Sequence, residues 1–273
     1  VSPIYVSTSY EYIDKEVRRY PRYFNTPNQE SLCKKISALE CSESAIVFGS
    51  GMAAISTTLL AFLSAGDHIL LQKDIYGGTR NLVEAQFKRY NIDYSFTDGL
   101  ELKDFEVGIK NITKVIYIET PSNPLLKIVD IQKIAAFAKS NNIITIIDNT
   151  FATPIIQKPI LFGVDVVLHS ATKYFGGHSD ISAGAVAASK ANIDIIWNLA
   201  KNLGGNLSDY SAWLLERSMK TLGVRVRIQQ KSAKKLAKYL SESSSVKKVY
   251  YPGLKSHPNH LLAKKQMKGY GAM

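Results

Sequence analysis

The residues 164–180 join an apolar run to a cluster of reactive groups. Val164, Val166, Val167 and Leu168 lead into His169, Ser170, Thr172 and Lys173, followed by Gly176-Gly177-His178-Ser179-Asp180. The apolar part reads as a buried strand. In extended chain Ser170 and Thr172 point to the same side. Lys173 falls where the strand should end, and in a parallel α/β sheet ligands bind outside the carboxyl ends of the strands. A desolvated lysine there loses its proton and forms a Schiff base with a carbonyl. Two hydroxyls beside it can hold a phosphate. Pyridoxal 5′-phosphate (PLP) carries both an aldehyde and a phosphate.

Other strand ends carry matching chemistry. Gly49-Ser50-Gly51-Met52-Ala53-Ala54 follows an apolar run and opens a helix, where exposed N–H groups bind phosphate. The same residues match the dinucleotide pattern G-x-G-x-x-A, with Asp74 about 20 residues on. A nicotinamide or flavin oxidoreductase is therefore the rival, although it leaves Lys173, Asp148 and the paired hydroxyls without a role. Asp148 closes the apolar run 143–147, where a carboxylate can pair with a protonated pyridine nitrogen and make the ring an electron sink; its plainer role is to cap a turn. Tyr76, in Asp74-Ile75-Tyr76-Gly77-Gly78, can stack on an aromatic cofactor or simply anchor a loop. Asn123, in Glu119-Thr120-Pro121-Ser122-Asn123-Pro124, can donate to a cofactor oxygen or form an Asn-Pro turn. His257 and His260 have no third metal ligand nearby and read as structural, so no metal is expected. No single motif decides; their conjunction along one sheet edge suits PLP chemistry.

These residues need a scaffold that lines up strand ends. Strands are expected at 45–48, 68–72, 92–96, 114–119, 143–148, 164–170 and 183–188, alternating with helices such as 131–141, where Ile131, Ile134, Ala135 and Ala138 recur at helical spacing. Alternation of this kind implies an α/β fold, a mostly parallel sheet flanked by helices. Residues 1–30 read as an extended arm, 29–41 as a helix, 192–203 and 208–243 as helical with a break near Gly223, and 246–251 as a final strand. The expected domains are 1–41 (arm and first helix), 42–230 (large domain) and 231–273 (the start of a C-terminal domain).

Composition narrows the partners. The chain has 273 residues, is 45% hydrophobic and carries a net charge of +11. Its lysines are scattered. The densest group, Lys231, Lys234, Lys235 and Lys238, has the spacing of a solvated helix face, so no nucleic acid is expected. No apolar run is long enough for a membrane span. Cys33 and Cys41 fit neither a zinc pattern nor a disulfide framework, which points to a reducing, cytoplasmic setting.

The segments Asp148-Asn149-Thr150-Phe151, Gly163-Val164-Asp165, His169-Ser170, Thr172-Lys173-Tyr174 and Gly177-His178-Ser179-Asp180 resemble the signature of the PLP-dependent enzymes of cysteine and methionine metabolism, of the cystathionine γ-synthase and γ-lyase type. The likeness extends to Met219-Lys220-Thr221-Leu222 and Tyr251-Pro252-Gly253-Leu254. It implies a fold-type I PLP-dependent transferase with a seven-stranded sheet. Lys173 would hold PLP and move protons between substrate carbons. Asp148 would pair with the pyridine nitrogen, Tyr76 would stack on the ring and assist as acid or base, and Asn123 would contact the ring hydroxyl. Gly51, Met52, Ser170 and Thr172 would bind the phosphate. Tyr20 and Arg22 match a Tyr-x-Arg that reaches a neighbouring subunit's phosphate, which implies a homo-oligomer, a dimer of dimers. The substrates would be small amino acids.

The chain departs from the family pattern in three places. It begins at an internal motif, Pro3-Ile4-Tyr5. It stops at Gly269-Tyr270-Gly271, so the C-terminal small domain is expected to be truncated and with it the arginine that grips the substrate carboxylate. The arm reads Asn25-Thr26-Pro27 where many members have Asn-Pro-Thr. Gly78 after Tyr76-Gly77, and Pro121-Ser122-Asn123-Pro124-Leu125-Leu126, favour a cystathionine γ-synthase. A cystathionine γ-lyase, a methionine γ-lyase and an O-acetylhomoserine sulfhydrylase are the alternatives.

Overall fold

The computed structural model describes residues 2–273. The strands are β1 (Ser44–Phe48), β2 (His68–Leu71), β3 (Asp93–Phe96), β4 (Thr113–Glu119), β5 (Ile144–Asp148), β6 (Val166–His169) and β7 (Gly184–Ala188). The helices are α1 (Pro27–Glu40), α2 (Gly51–Phe62), α3 (Gly77–Gln86), α4 (Leu102–Gly108), α5 (Ile131–Ser140), α6 (Thr153–Ile156), α7 (Lys190–Leu203), α8 (Asp209–Met219), α9 (Leu222–Ser241) and α10 (His260–Gln266). Each expected strand from 45 to 188 is present. The seven-stranded sheet has the order β1-β7-β6-β5-β4-β2-β3. It is mostly parallel, with β7 antiparallel to both β1 and β6. The fold is the fold-type I α/β architecture that the resemblance implied.

By its internal contacts the chain forms two compact units, Val1–Phe62 with Val166–Leu222, and Leu63–Asp165 with Gly223–Met273. In the first, the described residues of the arm have no regular structure before the short turn Pro21–Tyr23. Helix α1 then starts on a capping box: the Thr26 hydroxyl accepts from the Gln29 N–H, and the Gln29 side chain accepts from the Thr26 N–H. Its Leu32 and Ile36 are fully buried. Strand β7 is small throughout, Gly-Ala-Val-Ala-Ala, and wholly buried. A Cβ at Gly184 would lie 2.1 Å from the Ser50 carbonyl oxygen, so only glycine admits α2 this close.

In the second unit β5, β4, β2 and β3 run parallel in ladder order. Helix α5 buries Ile131, Ile134, Ala135 and Ala138, the face its spacing predicts. Two expectations fail here. Residues 246–251 form no strand; a run of β-branched and aromatic residues needs a ladder partner for its N–H and C=O groups, and none is supplied. The helical stretch 208–243 breaks at Lys220–Thr221, not at Gly223. The Lys220 and Thr221 N–H groups turn back to the Arg217 and Ser218 carbonyls, ending α8, and Gly223 lies inside α9. Lys231, Lys234, Lys235 and Lys238 are exposed on α9. Among the described residues no helix is long and apolar enough to cross a membrane.

Candidate active site

The first unit holds the lysine turn. Strand β6 ends at His169, and Thr172–Gly176 forms a tight turn that carries Lys173. Buried Phe175 anchors this turn against the His169 ring, with centroids 4.6 Å apart. The His169 Nε2 faces the Glu40 carboxylate at 2.5 Å, both side chains being almost fully buried. Lys173 itself is exposed, so packing does not desolvate its amine as the sequence reading expects. Ser170 and Thr172 also differ from expectation. Ala171 takes right-handed helical angles, so the chain is no longer extended there. The Thr172 hydroxyl instead donates to the Ala183 carbonyl at 3.1 Å and accepts from the Ala183 N–H at 2.9 Å.

Gly51 opens α2 against the end of β6. A Cβ there would meet the Ser170 Cβ at 2.9 Å and its Oγ at 3.0 Å. The first N–H groups of a helix have no intrahelical partner, and the positive end of the helix favours an anion. Ser50 accepts from the Ala53 N–H at 3.0 Å, which leaves Gly51 and Met52 ahead of the capped turn. The bare Gly51, the Ser170 hydroxyl and the helix N-terminus thus form a cradle of phosphate type. In the arm, the Arg22 guanidinium stacks on the Tyr20 and Tyr23 rings at 5.5 and 5.3 Å and donates to the Lys201 carbonyl at 2.5 Å.

The second unit holds the carboxyls. Asp148 ends β5 and Glu119 ends β4, and the two are paired across the parallel ladder. Their exposures are 6% and 5%. Asp148 Oδ1 accepts from the Thr150 N–H at 2.9 Å, so it does cap the turn that follows. Glu119 Oε2 accepts from the Tyr76 N–H at 2.8 Å, and Oε1 accepts from the Asn123 N–H at 2.7 Å. Burial, then the neighbouring Asp148, push the Glu119 carboxyl up to about 8, while the two N–H groups pull it down. Tyr76 is 45% exposed, and Asn123 is half-buried. Asp74, the acid of the dinucleotide pattern, is ion-paired to Lys127 at 2.5 Å. Sequence reasoning gave Glu119 no role, although it closes an apolar run just as Asp148 does.

Two residues outside the site keep to packing. His257 is buried and its Nδ1 accepts from the Asn259 N–H at 3.1 Å. His260 approaches the Pro252 carbonyl at 2.8 Å and stacks on Tyr270.

Both groups fit a phosphate-bearing pyridine aldehyde: an anion cradle beside a lysine in one unit, a buried carboxylate at a strand end in the other. Comparison with known proteins agrees. The chain is 45% identical over 275 residues to the cystathionine beta-lyase of Lactococcus lactis subsp. cremoris (strain MG1363), covering 99% of this chain and 72% of that protein. It is 40% identical over 277 residues to a probable cystathionine gamma-synthase of Herpetosiphon aurantiacus, covering 100% and 86%. The structure of cystathionine gamma-lyase from Lactobacillus plantarum complexed with L-serine matches with a TM-score of 0.95 at 40% identity, over 99% of this chain and 71% of that one. The model of the Cys/Met metabolism PLP-dependent enzymes matches residues 1–273. The chain belongs to that family of PLP-dependent lyases and transferases of sulfur amino acids.

Proposed function

We propose that the chain is a trans-sulfuration enzyme acting on small sulfur amino acids or homoserine esters. The observation that carries this is the lysine turn beside an anion cradle, with Gly51 kept bare against Ser170. Held by Lys173, PLP supplies an electron sink that lets a proton leave the α-carbon of an amino acid. Lys173 Nζ would take that α-proton and carry protons between substrate carbons. Asp148 keeps the pyridine nitrogen protonated. Tyr76 would stack on the ring and assist as acid or base, and Asn123 would contact the ring hydroxyl. Gly51 and Met52 N–H groups, with Ser170, hold the phosphate. Thr172 joins them once its hydroxyl proton leaves the Ala183 carbonyl. Tyr20 and Arg22 reach a neighbouring subunit's phosphate in a dimer of dimers, in the cytoplasm.

Within this class we favour γ-replacement of the cystathionine γ-synthase type, on Gly78 and the 121–126 segment. A second reading, β-elimination, is favoured by the 45% identity to a cystathionine beta-lyase. Products separate them. Homoserine ester plus cysteine gives cystathionine by γ-replacement. Cystathionine gives pyruvate, ammonia and homocysteine by β-elimination, or 2-oxobutyrate, ammonia and cysteine by γ-elimination. The class itself is tested by a visible band that borohydride removes, leaving cofactor covalently attached at Lys173. A protein that stays colourless with added PLP overturns it.

A further inference from the structure

Glu119 has no part in the chemistry set out above, yet its surroundings are costly to build. A buried carboxyl is tolerated only when its oxygens are hydrogen-bonded. Here each oxygen takes one main-chain N–H, from Tyr76 at 2.8 Å and from Asn123 at 2.7 Å. These two amides belong to different loops, one after β2 and one after β4. The main chain of Glu119 is itself fixed by Gln72. Its N–H donates to Gln72 Oε1 at 3.1 Å, and its carbonyl accepts from Gln72 Nε2 at 3.0 Å. The same Nε2 donates to the Asp74 carbonyl at 2.8 Å, two residues before Tyr76. Side chains at paired positions of neighbouring parallel strands leave the same face, so Glu119 shares the Asp148 side of the sheet.

We propose that Glu119 is a positioning residue for the cofactor ring, clamping the Tyr76 and Asn123 amides so that both side chains meet the ring in register with Asp148. The inference rests on the ring-contacting roles given above to Tyr76 and Asn123. The clamp does not need a charge, because a carboxyl oxygen keeps a lone pair for an N–H in either protonation state. It does need two acceptors. Glutamine has the same shape but presents an NH₂ to one of the two amides, so Glu119→Gln releases one loop.

Three measurements on wild type and Glu119→Gln test this. Hydrogen exchange of the Tyr76 and Asn123 amides is read without cofactor. PLP affinity is read by titration, and ring orientation by the circular dichroism of the visible band. We expect one amide to exchange roughly tenfold faster, PLP to bind roughly tenfold more weakly and the dichroism to change, as loss of a hydrogen bond to a buried acceptor predicts. Borohydride should still attach the cofactor at Lys173. Glu119→Asp keeps the carboxyl and its two acceptors but is one methylene short of spanning both amides, so it should shift the same readouts if the glutamine variant does not fold. Unchanged exchange, affinity and dichroism in a folded variant overturn the inference, as does a variant that only melts earlier. Failure at Lys173 shows in the wild type, which separates it from failure at Glu119; a wild type that takes up no PLP overturns both.

Discussion

Near Lys173 the anion cradle is built mostly from backbone, whereas near Glu119 several polar side chains are buried. In the first unit, α2 presents N–H groups over a bare Gly51, and Lys173 is left exposed on its turn. No charge has to be buried to receive an anion there; the buried Glu40–His169 pair belongs to the end of β6, before the turn. In the second unit Gln72, Glu119, Asp148 and Asn149 are all buried. Each buried oxygen there demands a donor. The backbone-built half should therefore be sensitive to added volume, and the side-chain-built half to a lost acceptor.

The largest effect should come from Lys173→Ala. If Lys173 carries the proton as proposed, its removal should cut turnover about a thousandfold, with no cofactor retained after borohydride and little change in melting temperature, since Lys173 is exposed. Undiminished turnover by this variant would remove the lysine turn from the chemistry. Glu40→Ala is next. It leaves the buried His169 ring facing no carboxylate and should destabilise by about 3 kcal/mol, read by urea unfolding.

Gly51→Ala places a methyl 2.9 Å from the Ser170 Cβ and should cost about 1–3 kcal/mol as well as weakening PLP binding. Adding Ser170→Gly removes the contact and should restore stability. If it does not, volume is not what makes this half sensitive.

The carboxyl half should show itself in pH. Glu119 is raised from the usual 4.5 to about 8 in the folded chain. Between those values the folded chain keeps a proton that the unfolded chain has lost. The stabilisation is thus complete below the unfolded value, falls as pH rises, and is gone above the folded one. For the cofactor-free protein the slope is at most about 1.4 kcal/mol per pH unit for one proton. Unfolding curves across that range should show it, and Glu119→Gln should flatten it. The smallest effect is Lys127→Ala, since the pair with Asp74 is 37% and 25% exposed; about 0.5–1 kcal/mol is expected, again by unfolding. A larger loss would mean that the loops after β2 and β4 depend on this pair more than on Glu119.

Most strands were legible because short apolar runs sit between clear turn signals, and Leu32, Ile36 and the α5 face follow helical spacing. Gly51, Lys173 and Asp148 stand out in the sequence for a related reason: each lies at the edge of such a run. The extended geometry expected at Ser170 and Thr172 fails because Ala183, the partner of the Thr172 hydroxyl, is eleven positions away and pairs only in three dimensions. The segment 246–251 has strand-like residues, but strand formation depends on a neighbour that local sequence does not specify. Glu119 was passed over because its partners are amides, and amides are the same in every sequence.

Gln72 has one more consequence. Its side-chain amide is fully buried and meets the Glu119 main chain as a peptide group would, adding a rung to the sheet beyond Leu71. The Glu119 N–H and C=O, at the strand end next to Asp148, are thus already paired and need no water. With less water beside the carboxyl pair, screening is weaker, and a charge on Asp148 acts more strongly on Glu119.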